Sequence, residues 1–181
     1  MKPKSLKNFD ELEKPRVQNI PGFYGEKLID GVVINDLKMF SDERGFLMEL
    51  LRLDDKKLKG ENIRQINCFI FLSKDDQGLE SSLKQEDRLI CVVGMVKLAL
   101  YDYREDSPTY QVLNEIFMGE KCPCVVYIPP GIFHGTKNIG NKISVVIGMP
   151  SLLYDPENVD ERRVNPLDND IIPYNWNCRM E

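Results

Sequence analysis

The stretch Leu89-Ile-Cys-Val-Val-Gly-Met-Val-Lys-Leu-Ala-Leu-Tyr101 consists of two short apolar runs joined by one glycine, Gly94. Short runs rich in β-branched and aromatic side chains, bounded by a turn residue, read as strands rather than helices. Working outward, the same pattern recurs at Gly31-Val-Val-Ile-Asn-Asp36, Phe46-Leu-Met-Glu-Leu-Leu-Arg52 and Gln65-Ile-Asn-Cys-Phe-Ile-Phe-Leu72. It continues at Gln111-Val-Leu-Asn-Glu-Ile-Phe117, Cys124-Val-Val-Tyr-Ile128 and Ile143-Ser-Val-Val-Ile147. Turn residues punctuate the gaps, as at Asp42-Glu-Arg-Gly45, Ser107-Pro108, Pro129-Pro130-Gly131 and Asn138-Ile-Gly140-Asn141. Only the short stretch Asp54-Asp-Lys-Lys-Leu-Lys-Gly60 reads as helical. Eight or nine short strands with regular turns and almost no helix predict an all-β fold, a double-sheet jelly roll or a barrel. Residues 1–26, polar and punctuated by proline, read as an N-terminal arm, and 27–181 as a single domain.

The chain has 181 residues with 24 Lys+Arg against 29 Asp+Glu, a net charge of −5, which disfavours nucleic-acid binding by bulk charge. No apolar run is long enough to span a bilayer, and the charged N-terminus is not followed by an apolar segment, so a cytoplasmic protein is expected. The single histidine, His134, excludes three-histidine zinc sites, two-histidine iron triads and Cys₂His₂ fingers. Five scattered cysteines read as reduced thiols, Cys68 and Cys91 as small hydrophobes, and Cys122-Pro-Cys124 lacks the spacing of a thioredoxin-like pair.

Four motifs follow one another in order: Asp42-Glu-Arg-Gly-Phe-Leu-Met-Glu49, Arg104-Glu-Asp-Ser-Pro-Thr109, Ile128-Pro-Pro-Gly-Ile-Phe-His-Gly135 and Asp170-Ile-Ile-Pro-Tyr-Asn-Trp176. Over roughly residues 27 to 176 the chain resembles the dTDP-4-dehydrorhamnose 3,5-epimerase family. The resemblance implies a cupin-like jelly roll, a nucleotide-linked 4-keto-6-deoxy sugar as ligand, no metal and no cofactor, and a homodimer that often exchanges an N-terminal strand. It also implies a histidine base oriented by a carboxylate, a lysine near the developing oxyanion and a tyrosine acid.

Matched residue by residue, the acid–base set departs from that pattern. Gln77-Gly78-Leu79-Glu80 places Glu80 where the family has its catalytic histidine and Gln77 where it has a phosphate-binding arginine. The lysine position falls on Asp87, the second histidine of a related subgroup on Ser82, and the tyrosine acid on Gly148. The C-terminal aspartate lies beyond Trp176. The binding frame matches better: Arg44 and Glu49 of the exchanged-strand region, the Gln65 and Asn67 pair, His134 and Tyr154. Arg64, Lys84 or Arg88 would have to replace the missing cations, and side-chain parity decides whether Arg88 reaches the pocket.

Two functions follow. One is an isomerase of the epimerase type in nucleotide-sugar metabolism, with Glu80 as base and Tyr154, His134 or water returning the proton; it requires Glu80 to be buried, with a raised pKa. The alternative is a catalytically silent sugar-nucleotide-binding or assembly protein, in which Glu80 is a solvated loop residue and the segment 75–87 is exposed.

Overall fold

The computed structural model describes residue 20 and residues 22–72, 78–165 and 170–175. Most of the N-terminal arm, Gln77 and Trp176 lie outside the described residues. The strands are β1 (Phe23–Tyr24), β2 (Val33–Asp36), β3 (Met39–Asp42), β4 (Gly45–Met48), β5 (Asn67–Phe71), β6 (Leu79–Ser82) and β7 (Asp87–Val93). They continue with β8 (Met95–Asp102), β9 (Leu113–Gly119), β10 (Cys124–Ile128), β11 (Ile132–Asn138), β12 (Ser144–Gly148) and β13 (Glu161–Val164). A six-stranded sheet in the order β1-β9-β8-β11-β6-β13 faces a five-stranded sheet in the order β2-β10-β7-β12-β5, and β3-β4 is a separate hairpin. This is the all-β double-sheet jelly roll expected from the strand pattern. The predicted helix at Asp54–Gly60 is instead a series of turns ending in a single 3-10 turn, Gly60–Asn62, with Lys59 in the left-handed region at φ 48°.

Gly94 explains the opening stretch of sequence. Its φ of +76° and the crowding around it, where an added Cβ would lie 2.5 Å from Ser144 Oγ, demand glycine between β7 and β8. The two runs consequently belong to different sheets. Between the sheets lies an apolar interior that includes Phe71, Leu89, Cys91, Leu98, Leu100, Ile116, Val126, Ile132 and Val146.

Both outer faces are covered as well. Ile172 and Tyr174 pack on Leu79, Ala99, Tyr101 and Phe133 of the six-stranded sheet. Leu58 and its neighbours pack on Ile90, Val125 and Tyr127 of the other. Arg88 is fully buried on that outer face. Its Nε donates to Leu58 O at 2.8 Å, and its Nη2 donates to Lys59 O at 3.0 Å and Glu86 Oε2 at 2.7 Å. It therefore fastens the segment around residue 58 to the sheet and points away from the interior. Arg64 Nη1 is engaged by Glu61 O and Ile63 O, so neither arginine replaces the missing cations.

Along three strands the inward residues change character, from Phe71 and Phe69 to Asn67 on β5, from Cys91 and Leu89 to Asp87 on β7, and from Val146 to Gly148 on β12. The core thus closes one end of the roll and leaves a polar cavity at the other. Cys68 lies on the opposite parity of β5 and is exposed, so it is not the buried hydrophobe that its apolar run suggests. Cys91 is buried as expected.

Candidate active site

The cavity measures about 220 Å³. That is below the ~300–1,000 Å³ typical of pockets for drug-sized ligands, so a ligand of that size would extend past the mouth. Its wall from the six-stranded sheet carries Glu80, His134, Thr136, Glu161 and Arg163; the facing wall carries Asn67, Phe69, Asp87, Leu89 and Gly148, with Gln65 and Tyr154 at the rim.

Glu80 is central to the first wall. It lies on β6, where Leu79 turns outward into the cluster around Tyr174 and the next side chain turns in. Its backbone partners are His134 on β11 and Arg163 on β13, so three functional side chains stand in a row across adjacent strands. Burial pushes the Glu80 carboxyl up to about 7; His134 and Arg163 oppose the rise, and the charge of Glu161 on the same wall adds to it. Arg163 Nε lies 3.7 Å from Glu80 Oε2 and touches Glu161 Oε1. The loop reading of Glu80 is overturned: it is a strand residue whose side chain is only 18% exposed. Pairing on both sides removes its backbone from water, and the inward parity of β6 removes its side chain.

His134 is also buried. Its Nδ1 is 3.1 Å from Ile132 O, and since a carbonyl only accepts, Nδ1 is the donor. That leaves Nε2 facing the cavity, 4.0 Å from Asp87 Oδ2 on the opposite sheet. Asp87 in turn accepts from Gln85 Nε2 at 3.0 Å. Burial raises the Asp87 pKa, against the opposing pull of His134, Gln85 and Arg88.

At the rim, Gln65 Nε2 donates to Asn67 Oδ1 at 2.7 Å while Gln65 Oε1 accepts from the backbone N–H of Tyr154 at 3.0 Å. The Gln65–Asn67 pair thus positions Tyr154, whose ring is 66% exposed. Gly148 faces Phe69 so closely that an added Cβ would lie 2.8 Å from Phe69 Cε2. The aromatic ring fills the space a tyrosine side chain at 148 would need, and the phenol that the structure offers instead is that of Tyr154 at the rim.

Among the expected site residues, the structure brings Glu80, Gln65, Asn67, His134 and Tyr154 together. Arg44 and Glu49 do not line this cavity; they belong to the β3–β4 hairpin and its exit, where Arg44 pairs with Asp42 and Glu49 lies 3.9 Å from Arg52. Three lining residues were not anticipated as functional. Asp87 has a detectable signal, the alternation Asp87, Leu89, Cys91. Glu161 and Arg163 have none, because Glu-Arg-Arg-Val at 161–164 shows no apolar period and becomes a strand only by pairing with β6.

The family model for dTDP-4-dehydrorhamnose 3,5-epimerase matches residues 26–180. The spore coat polysaccharide biosynthesis protein SpsL of Bacillus subtilis is 35% identical over 157 residues, 84% of this chain and 99% of that protein. The probable low-salt glycan biosynthesis epimerase Agl13 of Haloferax volcanii is 34% identical over 152 residues, 84% of this chain and 97% of that protein. Among solved structures, a dTDP sugar isomerase from Desulfovibrio desulfuricans superposes with a TM-score of 0.75 at 22% identity, covering 82% of this chain and 92% of its own, which speaks for the fold.

Proposed function

Because the chain belongs to the dTDP-4-dehydrorhamnose 3,5-epimerase family, we propose that it epimerises a nucleotide-linked 4-keto-6-deoxy sugar with Glu80 in place of the usual histidine base. A carbon beside a ketone has a weakly acidic C–H bond, and inversion there needs a base on one face, stabilisation of the enolate oxygen and an acid on the other face. Glu80 sits on one wall with a pKa of about 7, close to where a general base operates best at neutral pH. Arg163, 3.7 Å from Glu80, places a cation beside the base, and the keto oxygen lies one bond from the carbon that loses its proton. Tyr154 stands at the rim of the facing wall and returns the proton.

The buried Glu80, aimed into the cavity from β6, carries this reading over the silent alternative. The test is to incubate the protein with dTDP-4-keto-6-deoxyglucose in D₂O and follow the sugar C3 and C5 protons by NMR. Exchange that disappears in Glu80→Gln supports it. Absence of exchange in the wild-type protein, with saturation transfer still reporting bound ligand, overturns it in favour of a binding protein.

The same reading makes the protein a cytoplasmic homodimer. The β3–β4 hairpin exposes Phe40, Phe46 and Leu47, and the outer face around β5 exposes Ile66, Ile70 and Leu72. Apolar surface of this extent is typical of an interface. A hairpin exchanged between protomers would carry Arg44 and Glu49 to the mouth of the neighbouring cavity, restoring cationic contact for a diphosphate. One jelly-roll domain over 27–181, preceded by an arm, fits this assembly.

A further inference from the structure

We propose that His134 is the donor that holds the enolate oxygen, and that Asp87, facing it from the opposite sheet, is the positioning residue that keeps its imidazole charged. The inference deepens the epimerase reading and rests on it for its catalytic meaning. Relative to the family pattern, β7 has exchanged its charge: it carries a carboxylate, Asp87, where the resemblance implies a lysine near the developing oxyanion. Arg163 compensates only weakly. Its side chain is 74% exposed and its guanidinium already touches Glu161 Oε1, so water and a carboxylate both screen its charge. The enolate oxygen therefore needs a buried donor.

His134 meets that need. With Nδ1 donating to Ile132 O at 3.1 Å, the ring is fixed and Nε2 opens into the cavity. Nε2 has no hydrogen-bond partner among the described residues, since Asp87 Oδ2, at 4.0 Å, lies beyond hydrogen-bond range. A buried polar nitrogen without a partner is costly, and a ligand atom in the cavity supplies the missing bond. In the neutral ring, protonated on Nδ1, Nε2 has only a lone pair, so it donates only from the imidazolium. Asp87, buried and held by Gln85 Nε2 at 3.0 Å, sets a carboxylate opposite that nitrogen. The other charges on the ring's side are Glu80 from β6 and, beyond it, Glu161 and Arg163 from β13, while its β8 neighbour is the apolar Leu100. Three carboxyls against one guanidinium favour the charged ring.

His134 and Glu80 are direct partners of the β6–β11 pair, so their Cβ atoms stand about 4.5–5.5 Å apart on one face. The acidic C–H and the C=O of the ketone sit on adjacent carbons, and a base and a donor at this spacing reach both at once. As ionised Glu80 takes the proton, an O–H bond forms on it, the C–H electron pair becomes the new C=C bond, and the carbonyl π pair moves onto oxygen. There the Nε2–H of His134 bonds it. No proton leaves His134 in this step, and Asp87 acts on the ring without touching the sugar.

His134 is the only histidine of the chain, so a long-range ¹H–¹⁵N spectrum of the full, untagged protein shows its ring nitrogens without assignment. Without ligand, the neutral ring is expected to carry its hydrogen on Nδ1, and between about pH 6 and 8 the ring is expected to be more charged in the wild type than in Asp87→Asn. Asp87→Glu, which keeps a carboxylate on that wall, brings the charged fraction back toward the wild type. A hydrogen on Nε2 of the neutral ring overturns the proposal, as does an equal charged fraction in a folded Asp87→Asn, or a ring in Asp87→Glu no more charged than in Asp87→Asn. With dTDP-4-keto-6-deoxyglucose, His134→Leu is expected to lower kcat about a hundredfold and Asp87→Asn about tenfold, with KM nearly unchanged, because the bond to oxygen strengthens as the enolate forms. Wild-type kcat in either variant overturns the catalytic assignment. Wild-type protein that does not exchange the sugar protons refutes the epimerase reading, while the ligand-free spectra still decide the His134–Asp87 pair.

Discussion

Replacing Glu80 with glutamine should make the protein more stable in alkali and leave it unchanged in acid. Burial raises the Glu80 carboxyl from 4.5 to about 7. Each pH unit of such a rise corresponds to about 1.4 kcal/mol, so keeping the ionised side chain in the cavity costs on the order of 3 kcal/mol. The sign follows from linkage: a group whose pKa is raised on folding carries no penalty below 4.5, where it is protonated in both states. The penalty grows as the pH rises and is complete once it passes about 7. Glutamine keeps the shape and has no charge to bury. At pH 8.5, Glu80→Gln should gain on the order of 3 kcal/mol, or roughly 6–12 °C in Tm for a chain of this size, and at pH 4 it should match the wild type. Urea denaturation at fixed protein concentration across this range measures the difference. Equal stability at pH 8.5, or a gain that does not depend on pH, would mean that Glu80 is solvated and would remove the physical ground for its role as base.

The opposite pH behaviour is expected at Asp102, which is buried and accepts from Arg104 Nε at 2.8 Å and from the hydroxyls of Ser107 and Thr109, both at 2.6 Å. These partners outweigh burial and hold its carboxyl at about 2, so the stability it contributes is present above the ordinary 3.8 and lost as the pH falls through about 2. Asp102→Asn should cost about 2 kcal/mol at pH 7 by guanidinium denaturation, with the deficit closing in acid. Gly148→Ala forces a methyl group against Phe69 and should cost about 1–3 kcal/mol, relieved when Phe69→Leu is added; full stability in the single variant would refute the packing argument. Charging the hairpin with Phe46→Asp and Leu47→Asp should convert a dimer to a monomer in light scattering, whereas a wild-type protein that is already monomeric would refute the exchanged-hairpin assembly.

The strands readable in the sequence are those whose inward and outward faces are both apolar. β7, β8 and β10 are buried on both sides, so their residues form continuous hydrophobic runs. The strands that build the titratable wall of the site are the ones that sequence pattern alone leaves out. β6 reads Leu-Glu-Ser-Ser, β11 carries His134 and Thr136 inward, and β13 reads Glu-Arg-Arg-Val. A wall that must hold titratable groups cannot also show apolar alternation, so the chemistry hides the secondary structure. The family motifs located Glu80, His134, Gln65, Asn67 and Tyr154 where periodicity did not. They gave no guidance on Glu161 and Arg163, which reach the cavity only through the register of β13 on β6. Arg88 shows the converse: only its parity, fixed by the alternation of β7, separates a structural clamp on the outer face from a pocket cation.

Because β13 is the last strand of its sheet, one side of its backbone has no strand partner among the described residues. An open row of N–H and C=O groups invites pairing with a foreign strand, and natural sheets discourage this with charged residues at the margin. Glu161, Arg162 and Arg163 are such charges, with both arginines exposed. The residues that furnish one wall of the cavity therefore also guard the sheet against self-association. Substitutions at 161 and 163 that retune the site toward a different sugar would draw on the same charges that keep the protein from aggregating, which places a colloidal limit on how far this wall can change.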